Sequence, residues 1–202
     1  MLFSHDNLSQ VLASLGVTDS GDIFEQLAEQ YRSPSRHYHS DQHVIECLRH
    51  FEKFRHLAEH SAEIKVAIWF HDAIYDSQKS DNEEQSAAWA TSYLTSKGVA
   101  EGVVSRIDAM IIATKTHKPF NHDSAIMLDI DLGILGASDA AFEAYDQAVR
   151  REYQWVPAKA YESGRKQVLA SFLSRERIYH TDAMFEQYES QARRNLTRRM
   201  DR

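Results

Sequence analysis

Apolar residues recur three and four positions apart along almost the whole chain. In the stripe over residues 44–58, for example, Val44, Leu48 and Phe51 share one face of a helix. Such a stripe predicts an amphipathic helix that packs one face onto a core. Similar stripes predict ten helices, over residues 8–15, 23–31, 44–58, 64–75, 87–94, 103–116, 125–135, 141–153, 161–173 and 184–196. The sequence therefore predicts an all-α fold.

The predicted helix over residues 64–75 is apolar on nearly every side, which indicates burial in the centre of the fold. A buried strand is the alternative, but the alanine content and the length of the run favour a helix. The pair His71-Asp72 ends its most apolar part. A buried carboxylate without a partner costs roughly several kcal/mol, and a divalent metal ion is a partner that suits both side chains. A hydrogen-bonded His–Asp cluster without metal is the alternative.

Further metal-ligand candidates lie on other predicted helices. His43 stands at the start of the third helix, and Asp129 and Asp131 lie within the apolar run 127–135. Helical bundles build metal sites from side chains on separate helices that face one core. His39 and His43 also have the spacing of a zinc-protease motif, but Ser40 occupies the position of the catalytic Glu, which disfavours that class of enzyme.

Composition limits the remaining possibilities. The 202 residues are enough for one sizeable core, and 7 Gly and 3 Pro are few for a sheet with many hairpins. A formal net charge of -7 disfavours binding to nucleic-acid polymers or to anionic membranes. Cys47 is the single cysteine, and the sequence contains neither a signal peptide nor a long apolar span. We therefore expect a cytoplasmic protein.

The ordered set His43, His71-Asp72 and a distal Asp resembles the signature of the HD-domain superfamily of metal-dependent phosphohydrolases. The segments 36–39, 67–76, 81–87 and 129–136, with the later pieces 149–153 and 161–165, are similar to one bacterial subgroup of predicted HD phosphohydrolases. The likeness covers about residues 20–197. It implies a single HD-type α-helical domain over residues 1–202.

The resemblance implies that His43, His71, Asp72 and one distal Asp bind metal. Asp131 is favoured over Asp129 because superfamily members often carry this ligand as an Asp followed closely by a Leu, as in Asp131-Leu132. The spacing here is one residue shorter, so both remain candidates, and the unused Asp is a hydrogen-bond acceptor or a surface residue. A histidine and carboxylate shell favours Mn, Fe, Co, Ni or Zn over Mg, with one or two ions per chain.

The implied activity is hydrolysis of a small phosphate ester, with nucleotides among the candidate substrates. Asp72 would orient a metal-activated water, assisted by Glu83 or His117. Structural roles are the alternatives for this region. Asp81 and Glu84 could form a capping box at the start of a helix, and His117 could complement the dipole of a helix C-terminus. Arg36 and Lys115 are the candidate phosphate-binding cations.

Three other functions remain open: a non-catalytic sensor that binds metal and nucleotide, an HD-type di-iron oxygenase that would draw on His117 and His122, and a helical scaffold with a relic site. An oligomer is compatible with the sequence. The basic run Arg193–Arg199 is interpreted as cations at a helix C-terminus, in preference to a surface for RNA or a membrane.

Overall fold

The computed structural model describes residues 2–202, which contain helices and no strand. The predicted all-α fold is therefore confirmed. Contacts divide the chain into two compact units, Met1–Leu128 and Asp129–Arg202, which we call the first and the second unit. The expectation of one HD-type domain over the whole chain stays a prediction.

The helices follow the predicted order. The first unit contains α1 (His5–Ala13), α2 (Ile23–Tyr31), α3 (Asp41–Phe54), a short 3-10 helix (Arg55–Leu57), α4 (Ser61–Phe70), α5 (Asn82–Ser96), α6 (Glu101–Thr114) and most of α7 (His122–Asp131). The second unit contains the end of α7, a 3-10 helix (Leu132–Gly136), α8 (Asp139–Glu152), α9 (Ala158–Leu173) and α10 (Asp182–Met200). Within residues 2–202, no helix combines the length and apolar character that a membrane crossing requires.

Helix α4 is the centre of the first unit. It packs against α1, α3, α5 and α6, and its segment from Val66 to Phe70 is fully buried, as its uniformly apolar sequence predicts. The expected extension of this helix to Tyr75 is wrong. The helix ends at Phe70, and a turn follows in which Ala73 N donates to Phe70 O. His71 and Asp72 therefore lie at the C-terminal end of a buried helix rather than inside one.

Helix α3 brings His43 to the first unit's interior. The helix begins at Asp41, so His43 is its third residue and lies on the buried face with Val44 and Cys47. His39 precedes the helix. His39 and His43 therefore do not share a helical face, because the chain is not yet helical at His39.

In the second unit, α10 packs against α9 and against the 3-10 helix Leu132–Gly136. Side chains of α10 and of the loop before it satisfy the carbonyl groups of this short helix. Tyr179 Oη donates to Leu132 O at 3.0 Å, and Asn195 Nδ2 donates to Leu135 O at 2.8 Å. These bonds are the partners that carbonyls at a helix end need when they are buried.

The basic end of α10 is paired with carboxylates of the same unit. Arg193 pairs with Glu189, Arg198 with Asp139, and Arg199 with both Asp146 and Glu162. Arg198 and Arg199 lie in the last turn of α10, as expected of cations at a helix C-terminus, and these pairs add to that role. Asp146 also accepts from Arg165 at 3.0 Å, so a buried carboxylate joins α8, α9 and α10.

Gly136 permits the close approach of α10. A Cβ added at Gly136 would lie 2.6 Å from Tyr188 Cβ and 3.0 Å from Tyr188 O. We expect Gly136→Ala to destabilise the protein by about 1–3 kcal/mol because the helices must move apart. Urea unfolding measures the change. Gly164→Ala on α9 is the matched control, since its Cβ meets no atom within 4 Å, and it should stabilise by about 0.5–1 kcal/mol. Equal effects of the two variants would contradict this account.

Candidate metal centre

Three potential ligand atoms converge where α3 meets the end of α4. His43 Nε2 lies 3.1 Å from His71 Nε2, and Asp72 Oδ2 lies 3.1 Å from His71 Nε2 and 3.5 Å from His43 Nε2. The two histidines are 3% and 1% exposed. The structure thus brings together three of the four predicted metal ligands.

A backbone contact defines the orientation of the His71 ring. His71 Nδ1 lies 2.9 Å from Ile68 O, and a carbonyl oxygen can only accept a hydrogen bond. Nδ1 therefore carries a proton, and in the neutral ring the lone pair is on Nε2, which faces His43 and Asp72. This arrangement, with one ring nitrogen donating to a carbonyl and the other available to a cation, is typical of metal-binding histidines.

The charge on Asp72 is held by its neighbours. Burial alone would raise the pKa of this carboxyl, but interactions with the neighbouring His71 and His39 side chains hold the pKa far below its ordinary range. Asp72 is therefore a carboxylate at neutral pH. One carboxylate oxygen and two imidazole nitrogens in mutual contact repel one another unless a proton or a cation lies between them. A divalent cation can contact all three atoms at once, whereas one proton bridges only two.

The separations of these atoms fit the coordination of a single ion. Ligand atoms about 2.1 Å from a metal lie about 3.4 Å apart around a tetrahedral ion and about 3.0 Å apart around an octahedral one. The three observed separations range from 3.1 to 3.5 Å. The residues present therefore fit a divalent ion without rearrangement of the backbone.

A thiol also lies beside this cluster. Cys47 stands one helical turn after His43, and its Sγ lies 3.7 Å from His43 Nε2. One ligand atom from each of His43, Cys47 and His71 lies within 4.8 Å of the others. Sequence analysis placed Cys47 in the apolar stripe of α3 and missed this proximity. The spacing of four residues from His43 was the available signal.

The two distal carboxylates have different surroundings. Asp129 accepts hydrogen bonds of 2.7 Å from His180 N, Thr181 N and Thr181 Oγ1, and so holds the start of α10. Burial raises the pKa of Asp129, against the effect of these three bonds. Asp129 is thus the hydrogen-bond acceptor of the pair. Asp131 is the last residue of α7 and belongs to the second unit, and its role as a metal ligand stays a prediction.

Arg36 contacts the backbone around Asp72. Its guanidinium donates to the carbonyls of His39 at 3.1 Å, Asp72 at 2.5 Å and Ala73 at 2.8 Å, and it packs 5.1 Å from the ring centre of Tyr31. The side chain is buried. These contacts are a different use of Arg36 from the phosphate binding expected of it. Arg36 ties the segment before α3 to the turn after α4. It thereby positions His43 relative to His71 and Asp72.

Aromatic rings flank the cluster on the same side. His39 stacks on Tyr75 with ring centres 4.0 Å apart, and Tyr38 lies 4.7 Å from His43 by the same measure. His39 and Tyr75 are only partly buried. A stacked imidazole and phenol pair therefore lies close to the ligand residues.

The other predicted cation, Lys115, is paired. Its Nζ lies 2.5 Å from Glu84 Oε1 and donates to Ser80 O at 2.5 Å. The expected capping box is wrong, because Asp81 makes no side-chain bond to the start of α5 and Glu84 pairs with Lys115 instead. Lys115 remains partly exposed, and its predicted contact with a phosphate stays a prediction.

The start of α5 is tied to the turn that follows Asp72. Asn82 Oδ1 accepts from Asp76 N, and Asn82 Nδ2 donates to Asp76 O, both at 3.0 Å. Glu83 follows Asn82 as the second residue of α5 and is partly exposed. The bonds of Asn82 place the start of α5 beside the turn that follows Asp72. The role of Glu83 as a base stays a prediction.

Histidines 117 and 122 occupy helix ends. His117 has a φ of +50°, and its N–H donates to Ala113 O at the end of α6. His122 Nε2 lies 3.0 Å from Leu57 O, so that nitrogen is used as a hydrogen-bond donor to the backbone. This contact leaves His122 a poor candidate for the additional ligand that a di-iron oxygenase needs.

A second cluster of residues that could bind a metal has a structural role instead. Asp123 accepts from Glu59 N, His60 N and His60 Nδ1 at 2.8 to 2.9 Å. The carboxylate thus satisfies backbone N–H groups just before α4. Glu59, His60 and Asp123 could hold an ion, but the backbone bonds account for their grouping.

No protein-family model, curated protein or solved structure matches this chain. The assignment to the HD superfamily therefore stays a prediction based on the sequence motif.

We expect Arg36→Lys to lower the affinity for divalent metal by about 10- to 100-fold, as the loss of outer hydrogen bonds does at other metal sites. A single ammonium cannot hold three carbonyls at once. Competition with a chromogenic chelator measures the affinity. Arg32→Lys is the control, because Arg32 makes one partly exposed ion pair with Asp41. An unchanged affinity in Arg36→Lys would refute the positioning role.

We expect His117→Gly to stabilise the protein by about 1 kcal/mol, because the left-handed conformation strains a residue with a Cβ. Gly98→Ala tests the converse at the end of α5, where φ is +75° and an added Cβ meets no atom within 4 Å. It should destabilise by a similar amount. Thermal unfolding measures both, and a loss of stability in His117→Gly would show that imidazole contacts outweigh the strain.

Proposed function

We propose that the protein is a metal-dependent phosphohydrolase that cleaves a small phosphate ester. The convergence of His43 Nε2, His71 Nε2 and Asp72 Oδ2 within 3.5 Å is the observation that carries this proposal. It supports a divalent-ion site at the position where the HD-type motif predicts one. The resemblance of the motif supplies the reaction class.

Each protein group has a defined part in the proposed reaction. His43, His71 and Asp72 would hold the ion, with Asp131 as the predicted fourth ligand. When bound, a divalent ion supplies Lewis-acid polarisation of a phosphoryl oxygen and a water of lowered pKa. Asp72, ionised and 17% exposed, can accept a hydrogen bond from that water and orient it. Glu83 and His117 are the proposed proton carriers.

The donor atoms favour a particular class of ion. Two imidazole nitrogens in the shell suit Mn, Fe, Co, Ni or Zn better than Mg, which prefers oxygen ligands and keeps much of its water. The proposal allows one or two ions per chain.

Binding of the phosphate ester needs local positive charge because the protein carries a formal charge of -7. The bound ion would supply most of that charge, since Arg36 donates to three carbonyls and Lys115 pairs with Glu84. The stacked rings of His39 and Tyr75 offer an aromatic surface beside the ligand atoms. A nucleotide is therefore a reasonable substrate class to test first.

Asp72→Asn should abolish metal-dependent phosphate release, with a loss of about 100-fold or more, because the neutral amide supplies no anionic ligand and orients the water less strongly. Phosphate release from nucleotides and sugar phosphates is measured with Mn, Co, Ni, Zn or Mg, and bound metal is quantified by mass spectrometry. Asp6→Asn is the matched control, because it removes one carboxylate whose side chain is 93% exposed. It should retain full activity.

The outcomes separate the competing functions. Retention of both metal and activity in Asp72→Asn would overturn the proposed site. Stoichiometric metal with saturable nucleotide binding and no turnover would overturn the hydrolase and favour a sensor. Oxygen consumption by the iron-loaded protein would favour an oxygenase.

A further inference from the structure

We propose that Cys47 is a thiolate ligand of the metal ion held by His43, His71 and Asp72. This inference rests on the proposed metal site and extends it, since the HD-type motif contains only histidine and aspartate ligands. It assigns the site a soft sulfur donor and therefore a preference among metals.

The helix geometry places Cys47 correctly for this role. Residues four apart on a helix lie on the same face, so His43 and Cys47 both project from α3 toward the end of α4. Cys47 Sγ lies 3.7 Å from His43 Nε2. Ligand distances of about 2.3 Å for sulfur and about 2.1 Å for nitrogen give a separation of about 3.6 Å around a tetrahedral ion. The observed separation is close to this value, but Sγ also lies 3.8 Å from His43 Nδ1 and so stands beside the ring. A rotation of the Cys47 side chain about χ1 would bring the sulfur to an ion bound at Nε2.

Charge balance gives an independent reason. His43, Cys47 and His71 are each at most 3% exposed, so the ion would lie in a largely dehydrated place. Asp72 contributes one negative charge and the two imidazoles contribute none. A thiolate adds a second negative charge and offsets that of a divalent ion, which lowers the cost of burying it.

The alternative is that Cys47 only fills space. A buried cysteine often behaves as a small apolar side chain, and Val44, Leu48 and Phe51 continue the same buried face of α3. Packing alone, however, does not require the sulfur to lie beside two imidazoles rather than among the apolar side chains. The two explanations predict different metal preferences and different spectra.

Ligation changes the protonation of the thiol in a defined way. The S–H bond of Cys47 breaks, the sulfur lone pair forms the bond to the metal, and the proton passes to solvent. No oxidant or reductant takes part. A sulfur ligand raises the affinity for Zn and Co, while Mn, which favours oxygen, gains little.

The experiment is titration of the metal-free wild-type protein with Co²⁺ under anaerobic, thiol-free conditions, followed by absorption spectroscopy. A thiolate ligand produces an intense charge-transfer band in the near ultraviolet. Because Cys47 is the single cysteine in the chain, such a band reports this residue alone. The wild-type spectrum therefore decides the question even where a variant fails to fold.

Cys47→Ser and Cys47→Ala complete the test, with circular dichroism as a check of folding. We expect both variants to lose the band and to bind Zn at least about tenfold more weakly. The loss of a direct ligand should cost no less affinity than the loss of a hydrogen bond to a ligand does. Their affinity for Mn should change less than that for Zn. Equal losses for Zn and Mn would indicate packing and overturn the proposal.

Two results on the wild-type protein separate this inference from the proposed function. Stoichiometric Co²⁺ without the band would overturn the role of Cys47 and leave the metal site intact. Failure of Co²⁺, Zn²⁺ and Mn²⁺ to bind at all would overturn both the metal site and the inference.

Discussion

The end of helix α4 is the constraint on which the site depends. A helix whose last five residues are fully buried delivers His71 and Asp72 into the interior at its C-terminus, where polar groups are costly. The cost is offset locally: His71 donates to Ile68 O, and the ionised Asp72 faces two imidazoles. The close contact of one carboxylate oxygen with two imidazole nitrogens is one that a proton or a cation between them would relieve. The chemistry of the site follows from where this helix stops.

The turn that follows this helix is held by a residue far away in the sequence. Arg36 donates to the carbonyls of Asp72 and Ala73 from 36 and 37 positions upstream. Tyr31 adds a bond to Trp69 O at 3.0 Å, and burial raises its pKa, so the phenol stays protonated and donates. The segment before α3 therefore shapes the end of α4, and the two histidines are positioned by a shared set of contacts.

This dependence explains which features the sequence could predict. Local periodicity predicts the helices, because amphipathic stripes are set by neighbours within one or two turns. The turn after Phe70 was not predicted, because the contacts that hold it come from Arg36, which is distant in the sequence. The same contacts give Arg36 a positioning role, and its predicted contact with a phosphate stays a prediction. Cys47 was missed for the opposite reason, because its place in an apolar stripe gave a sufficient explanation for a small buried side chain.

The choice between the distal carboxylates follows from helix geometry. Asp129 and Asp131 are two residues apart, so their side chains leave α7 about 200° from each other and cannot share one set of contacts. Asp129 is fully engaged with the backbone and hydroxyl of Thr181 and the backbone of His180. These bonds hold the start of α10, so converting Asp129 into a metal ligand would leave buried N–H groups without partners. Asp131 is therefore the better of the two candidates for the predicted distal ligand, and that role stays a prediction.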